Sequence, residues 1–222
     1  MATQPAQNLG SNATEMLCSL AQAEGSAGHA YPHHIALSQG RLASRNLADV
    51  VHHICALHGR MPGVVDHAAQ HTVHEAARAW LIKATDGFAT ERLYLTKLVV
   101  AAGPLPSTPG QAESESAVIA QHHALDMLAQ SDRKGCAIGA ATALVLDWYG
   151  VRPLLDKAAL RFGVDAVACA LPSIDDTVAV LTAISETPAV ERAVVFGAQQ
   201  LLGQHRGLWD LLEARQIARG EH

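Results

Sequence analysis

The chain has 222 residues, enough for one large domain or at most two small ones. Hydrophobic residues make up 49% and charged ones 17%, which excludes disorder as the dominant state. A net charge of −5 excludes a global basic field for nucleic-acid phosphates or an anionic membrane surface.

Alanine and leucine are abundant, and apolar residues recur at three- and four-residue spacing with no sustained period-2 stretch, so the chain is expected to be all-α. Residues 1–12 are polar, show no basic segment followed by an apolar one, and are expected to form a disordered tail and not a secretion signal. A first helix is expected over about 13–24, ending at Gly25, and residues 25–41, punctuated by Gly and Pro, read as a loop. Further helices are predicted over about 43–58, 64–83 and 86–101. Residues 103–110 (GPLPSTPG) form the clearest break, a Pro/Gly linker between two helical halves. Thr108, Pro109 and Gln111 read as N-cap, first-turn proline and capping-box glutamine of a helix to about 130. Ser131 opens a helix through about 151, with a restart or kink at Pro153. Ser173 and Asp176 make a capping box for a helix to about 186, and Thr187 with Pro188 starts a last one to about 217. Neither half repeats the other and neither would bury a good core alone. The expectation is one all-α domain over 1–222, a bundle of about eight helices. The longest apolar run, Ala137 to Leu146, is too short to span a bilayer.

Common chemistries are mostly excluded. There is no P-loop, no G-x-G-x-x-G after a strand and no G-x-S-x-G elbow. His74-Glu75 begins like a zinc-protease helix, but Arg78 stands where the second histidine ligand belongs. No glutamate is followed three residues later by histidine, so the di-iron bundle signature is absent. Four cysteines at 18, 55, 136 and 169 form no C-x-x-C and read as buried thiols in a reducing, cytoplasmic compartment.

Thirteen histidines stand out, and helical phase sorts them. His67, His71 and His74 fall on one face with Arg78, opposite an apolar stripe of Ala69, Val73, Ala76 and Trp80, and read as a solvated face or an oligomer contact. Asp49, His52 and His53 are placed behind the buried face of Leu47, Val50, Val51, Ile54 and Leu57. His58, His122, Asp147 and His205 instead fall on apolar stripes. An ionised carboxylate there needs a cation, a hydrogen-bond network or a metal. Three imidazoles and one carboxylate are ligand types for zinc or non-haem iron, with Asp147 as ligand or catalytic general base. The alternative is a structural polar network, with Asp147 paired to Arg152. Cys55 and His58, three apart, suit a helical metal pair. Gly135 to Ala141 offers small residues for close helix approach or a dimer seam, and the segment with His29, Tyr31, His33 and His34 is a candidate pocket cap or a solvated loop.

Residues 131–164 (SDRKGCAIGAATALVLDWYGVRPLLDKAALRFGV), preceded by PLPSTPGQAESE at 104–115, resemble an uncharacterised family of bacterial all-helical proteins. The resemblance implies an all-helical fold and carries over no activity. At the level of architecture such a domain looks like haem-oxygenase-like or ferritin-like bundles, a likeness of fold alone. Three functions remain as expectations. One is a core site binding a metal ion or small-molecule ligand. The second is a non-enzymatic homodimeric interaction or regulatory module, and the third a carrier of an apolar ligand. DNA binding ranks last, because Arg192, Arg206, Arg215 and Arg219 are scattered on an acidic chain.

Overall fold

The computed structural model describes residues 4–220, and among these it holds nine α-helices, one short 3-10 turn and no strand. The helices are α1 (Gln4–Glu24), α2 (Ala30–Leu37), α3 (Gly40–His58), α4 (Val64–His71), α5 (Glu75–Ala102), α6 (Gln111–Ala129), α7 (Cys136–Phe162), α8 (Ile174–Ile184) and α9 (Pro188–Ala218). No helix among the described residues is long and apolar enough to cross a membrane.

Helix α7 is the axis of the bundle. Its run from Cys136 to Val145 is buried on all sides, as a stretch of small and apolar residues without a polar face requires; its one hydroxyl, Thr142, donates back to the helix backbone. Helix α9 packs along it more extensively than any other element, and α3, α4, α5, α6 and α8 surround the pair. The closeness of α7 and α9 comes from glycine. A Cβ at Gly139 would stand 2.1 Å from the Val194 carbonyl oxygen, and one at Gly197 would stand 2.1 Å from that of Cys136. The small residues of 135–141 therefore serve a crossing within the chain.

Several expected boundaries shift for identifiable reasons. Helix α1 begins at Gln4, so most of the stretch read as a disordered tail is helical; residues 1–3 lie outside the described residues. The expected loop at 25–41 contains α2, whose N-cap is His29: its Nδ1 accepts from the Tyr31 amide at 3.1 Å. The expected helix over 64–83 breaks at Thr72–His74, and the phase resets there. Val64, Val65 and Ala68 face the core before the break; Ala77, Trp80, Leu81 and Ala84 do so after it. The predicted stripe is corrected accordingly, since Ala69, Val73 and Ala76 are exposed. His71 is exposed, and His67 and His74 are half-buried.

Helix α5 runs through the expected gap at 84–85. Helix α6 starts at Gln111 with Gly110 as N-cap at φ 75°, so Thr108 does not cap it. Helix α7 starts at Cys136, after Gly135 at φ 100°, a left-handed conformation that only glycine takes without strain. It continues past Pro153 to Phe162, with Pro153 on the exposed side and its buried neighbours holding the helix to the core. The capping box of Ser173 and Asp176 and the Thr187–Pro188 start form as expected.

Candidate functional site

Three of the four inward-facing residues meet. His58 ends α3, Asp147 sits in the middle of α7, and His205 lies on α9; all three are buried. Each occupies the apolar phase of a continuous helix, so packing the three helices directs the three side chains to one point. The His205 Nδ1 lies 2.5 Å from Asp147 Oδ2, and the His58 and His205 Nε2 atoms lie 2.7 Å apart. The two rings stand edge to face, 4.9 Å between centroids.

The proton positions follow from the partners. Asp147 accepts from the Ser26 amide and from Ser26 Oγ, each at 2.6 Å. Ser26 Oγ in turn accepts from Trp209 Nε1 at 2.9 Å, so the hydroxyl has its own proton left only for the carboxylate. With Asp147 an acceptor, His205 Nδ1 carries a proton and donates it. The second bond joins the two Nε2 atoms, so one ring donates its Nε2–H to the lone pair of the other. Burial, first, and then the neighbouring His205, His122 and Arg92 hold His58 well below the usual imidazole range, so it is neutral at neutral pH. The result is one uninterrupted carboxylate–imidazole–imidazole chain. The backbone closes tightly behind it: a Cβ at Gly25 would stand 2.3 Å from Asp147 Oδ1.

His58 borders a narrow pocket of about 10 Å³, roughly the space one water needs, lined also by Arg60, Arg92, His122 and Asp126. His122 is thus near His58 but outside the chain. Its Nε2 lies 3.6 Å from Asp126 Oδ2, and its Nδ1 is buried without a hydrogen-bond partner. Asp147 does not pair with Arg152, which donates to Glu91 at 2.7 Å and to Asp156 at 2.8 Å.

Among the described residues no three of His58, His122, Asp147 and His205 bring one ligand atom each within 4.8 Å of one another, and His58 and His205 meet through a hydrogen bond between their Nε2 atoms. Cys55 is half-buried, and burial pushes its thiol up, away from the thiolate a metal requires. Among the described residues one trio has ligand atoms close enough to share an ion: His29, Asp210 and Glu213. There the Tyr31 amide donates to His29 Nδ1, which puts the ring proton on Nε2, 2.9 Å from Asp210 Oδ1. That tautomer has no lone pair at Nε2 for a metal.

Two further buried networks went unread in the sequence. Asp49, placed behind the apolar face, is fully buried and corrects that expectation: Arg215 grips it at 3.0 and 3.3 Å, and Arg219 at 2.5 Å. His53 is also buried, its Nδ1 donating to the Asp49 carbonyl at 2.7 Å, and burial lowers its pKa. Glu91 is fully buried too, accepting from Trp148 Nε1 at 2.9 Å and from Arg152, which also reaches the Val167 carbonyl. Burial pushes the Glu91 carboxyl up, opposed by the Trp148 hydrogen bond and the Arg152 charge. Both networks tie connecting segments to the core. Of the 25–41 histidines, His29 is buried at its cap, and His33 Nε2 donates to the Ala27 carbonyl at 2.7 Å.

The fold and this chain of groups define an all-helical bundle with a buried, hydrogen-bonded Asp–His–His cluster at the junction of α3, α7 and α9. The protein belongs to a family of unknown function, DUF6975, whose model matches residues 21–220. No curated protein and no solved structure matches it, so nothing here supports the expected likeness to haem-oxygenase-like or ferritin-like bundles.

Proposed function

We propose that the water-sized pocket admits one oxygen of a small polar ligand to His58, which exchanges a proton with it and with His205, held in place by Asp147. The observation that carries this reading is the uninterrupted hydrogen-bond chain from Asp147 through His205 to His58. With its Nε2–H given to His205, His58 has its lone pair on Nδ1. A proton taken from the ligand at Nδ1 is matched by passing the Nε2 proton to His205. The imidazolium so formed at His205 lies against the Asp147 carboxylate, which offsets its charge. Asp147 is a positioning residue here, since Ser26 and His205 occupy it and it is sealed from the pocket. His58 takes the role of base that the sequence suggested for Asp147. Arg60, and the Nε–H of Arg92 left over from its pairing with Asp66, favour an anionic or carbonyl oxygen on the ligand, while Asp126 pairs with His122. A cytoplasmic setting belongs to the same proposal, supported by four cysteines that stand as free thiols.

The test is histidine side-chain NMR on ¹⁵N-labelled, untagged protein, with formate as the probe ligand and elemental analysis on the same sample. His205 is expected as the Nδ1–H form, with a far-downfield proton that disappears in Asp147→Asn, and His58 as the Nε2–H form. Formate is expected to move the His58 signals and leave those of His53 unchanged. The opposite tautomers, or His58 signals indifferent to formate, would overturn the proposal. About one metal ion per chain, lost in His205→Gln, would replace the relay with the metal centre.

A further inference from the structure

Helix α5 buries one side against α3, α4, α7 and α8, and its outer side carries large apolar residues among charged ones. Ile82, Leu93 and Val100 are 58%, 67% and 76% exposed. With Ala79, Asp86, Ala89 and Thr96, all exposed, they occupy positions 79, 82, 86, 89, 93, 96 and 100. The spacing alternates three and four over the whole stretch. That is the a/d pattern of a helix packed knobs-into-holes along a second helix, with 79, 86, 93 and 100 at a and 82, 89 and 96 at d. Among the described residues no other helix covers Ile82, Leu93 and Val100, which stay exposed.

We propose that the occupant is the α5 of a second copy of this chain, packed antiparallel about a two-fold axis near position 91. In antiparallel pairs each a position faces a d position of the partner helix, which allows only registers differing by whole heptads. In the register centred on 91, position 82 meets 100, 86 meets 96, and 89 meets 93, and the two-fold repeats each layer. Ile82 then packs on valine, Ala89 on leucine as small against large, and Asp86 faces a threonine hydroxyl with Lys97 of the opposite chain one residue away. Lys83 is already matched within its own chain by Asp176 at 3.0 Å, which leaves Lys97 for Asp86. Moving the register one heptad either way sets Asp86 against Ala89, or Leu93 against Thr96. A parallel pairing would set Asp86 against its own copy, two carboxylates in one layer. Charge and size complementarity thus select the partner, the direction and the register together.

Sedimentation and light scattering from nanomolar to high micromolar concentration are expected to show a dimer. Leu93→Glu puts a carboxylate into both central layers and is expected to weaken it about a hundredfold or more, with the helical circular dichroism unchanged because Leu93 is exposed. The register is read by cross-linking in a Cys169→Ser background. Chains carrying Ile82→Cys, mixed with chains carrying Val100→Cys, are expected to form a disulfide-linked dimer, and neither is expected to do so alone. Like positions stand about 27 Å apart along the axes in this register. A monomer at every concentration, a dimer untouched by Leu93→Glu, or cross-linking by either variant alone would overturn the proposal.

Discussion

His58 is a base kept without its proton by burial and by the histidines and arginine around it, and that state has a cost in acid. In the unfolded chain its imidazole titrates at its ordinary value near 6.5. Below that pH the unfolded state takes up a proton that the folded state refuses, so stability falls. Above it both states are neutral and the dependence vanishes. Urea unfolding between pH 8 and 5 is therefore expected to show stability declining below about pH 6.5. In His58→Gln, which keeps a donor for His205 Nε2, the decline is expected to flatten. His53, also lowered by burial, leaves a smaller slope of the same sign. An unchanged slope in the variant would mean that His58 is not the neutral ring of the chain. The relay residues were legible because a polar side chain in the apolar phase of a long helix is anomalous. The same test reaches Glu91, in step with Ala84, Phe88, Leu95 and Leu98, and Arg215, in step with Leu208 and Leu212. Ser26 has no such signature, since it stands in a one-turn segment where no period exists. Asp49 was misplaced because residues 46–51 are buried on every side, and a one-sided phase argument fails there.

At the scale of elements, glycine decides how closely α7 and α9 approach, and its two settings on α9 predict opposite effects. A Cβ at Gly197 meets α7 backbone, whereas one at Gly203 has nothing within 4 Å. Gly197→Ala is expected to destabilise by about 1–3 kcal/mol, the usual cost of overpacking. Gly203→Ala is expected to stabilise by about 0.5–1 kcal/mol through helix propensity alone. Equilibrium urea denaturation distinguishes them, and effects of one sign would remove glycine as the cause of the close crossing. Elements whose start is a local hydrogen-bond motif, α8 and α9, were legible in the sequence because Ser173–Asp176 and Thr187–Pro188 close their first turns with neighbours only. The break at Thr72–His74 and the passage of α7 beyond Pro153 were not, because tertiary packing outweighs propensity at both. Thr108 fooled the capping rule for a related reason. Its hydroxyl is claimed by Arg219 at 2.9 Å from the far end of the chain.

For the whole molecule, the Pro/Gly stretch at 103–110 marks a boundary in sequence and is expected to mark none in stability. The relay takes Ser26 and His58 from before it and Asp147 and His205 from after it. The core interleaves in the same way, α7 lying against α3, α4 and α5, and α9 against α1 and α3. The stretch itself is clamped: His52 Nε2 donates to the Gly103 carbonyl at 2.8 Å, Arg215 to that of Pro106 at 3.1 Å, and Arg219 to Thr108. Both arginines also hold Asp49, which joins α9, α3 and the stretch in one buried ionic knot. A protease site inserted at the exposed Pro104, and then cut, is expected to leave the two pieces co-eluting. They should unfold in one transition seen alike by circular dichroism and tryptophan fluorescence, since Trp80 reports on the first piece and Trp148 and Trp209 on the second. The midpoint is expected to become concentration-dependent, because cutting turns a unimolecular equilibrium into an association. Pieces that separate on elution, or tryptophan and dichroism transitions that part, would show two units where the buried contacts require one.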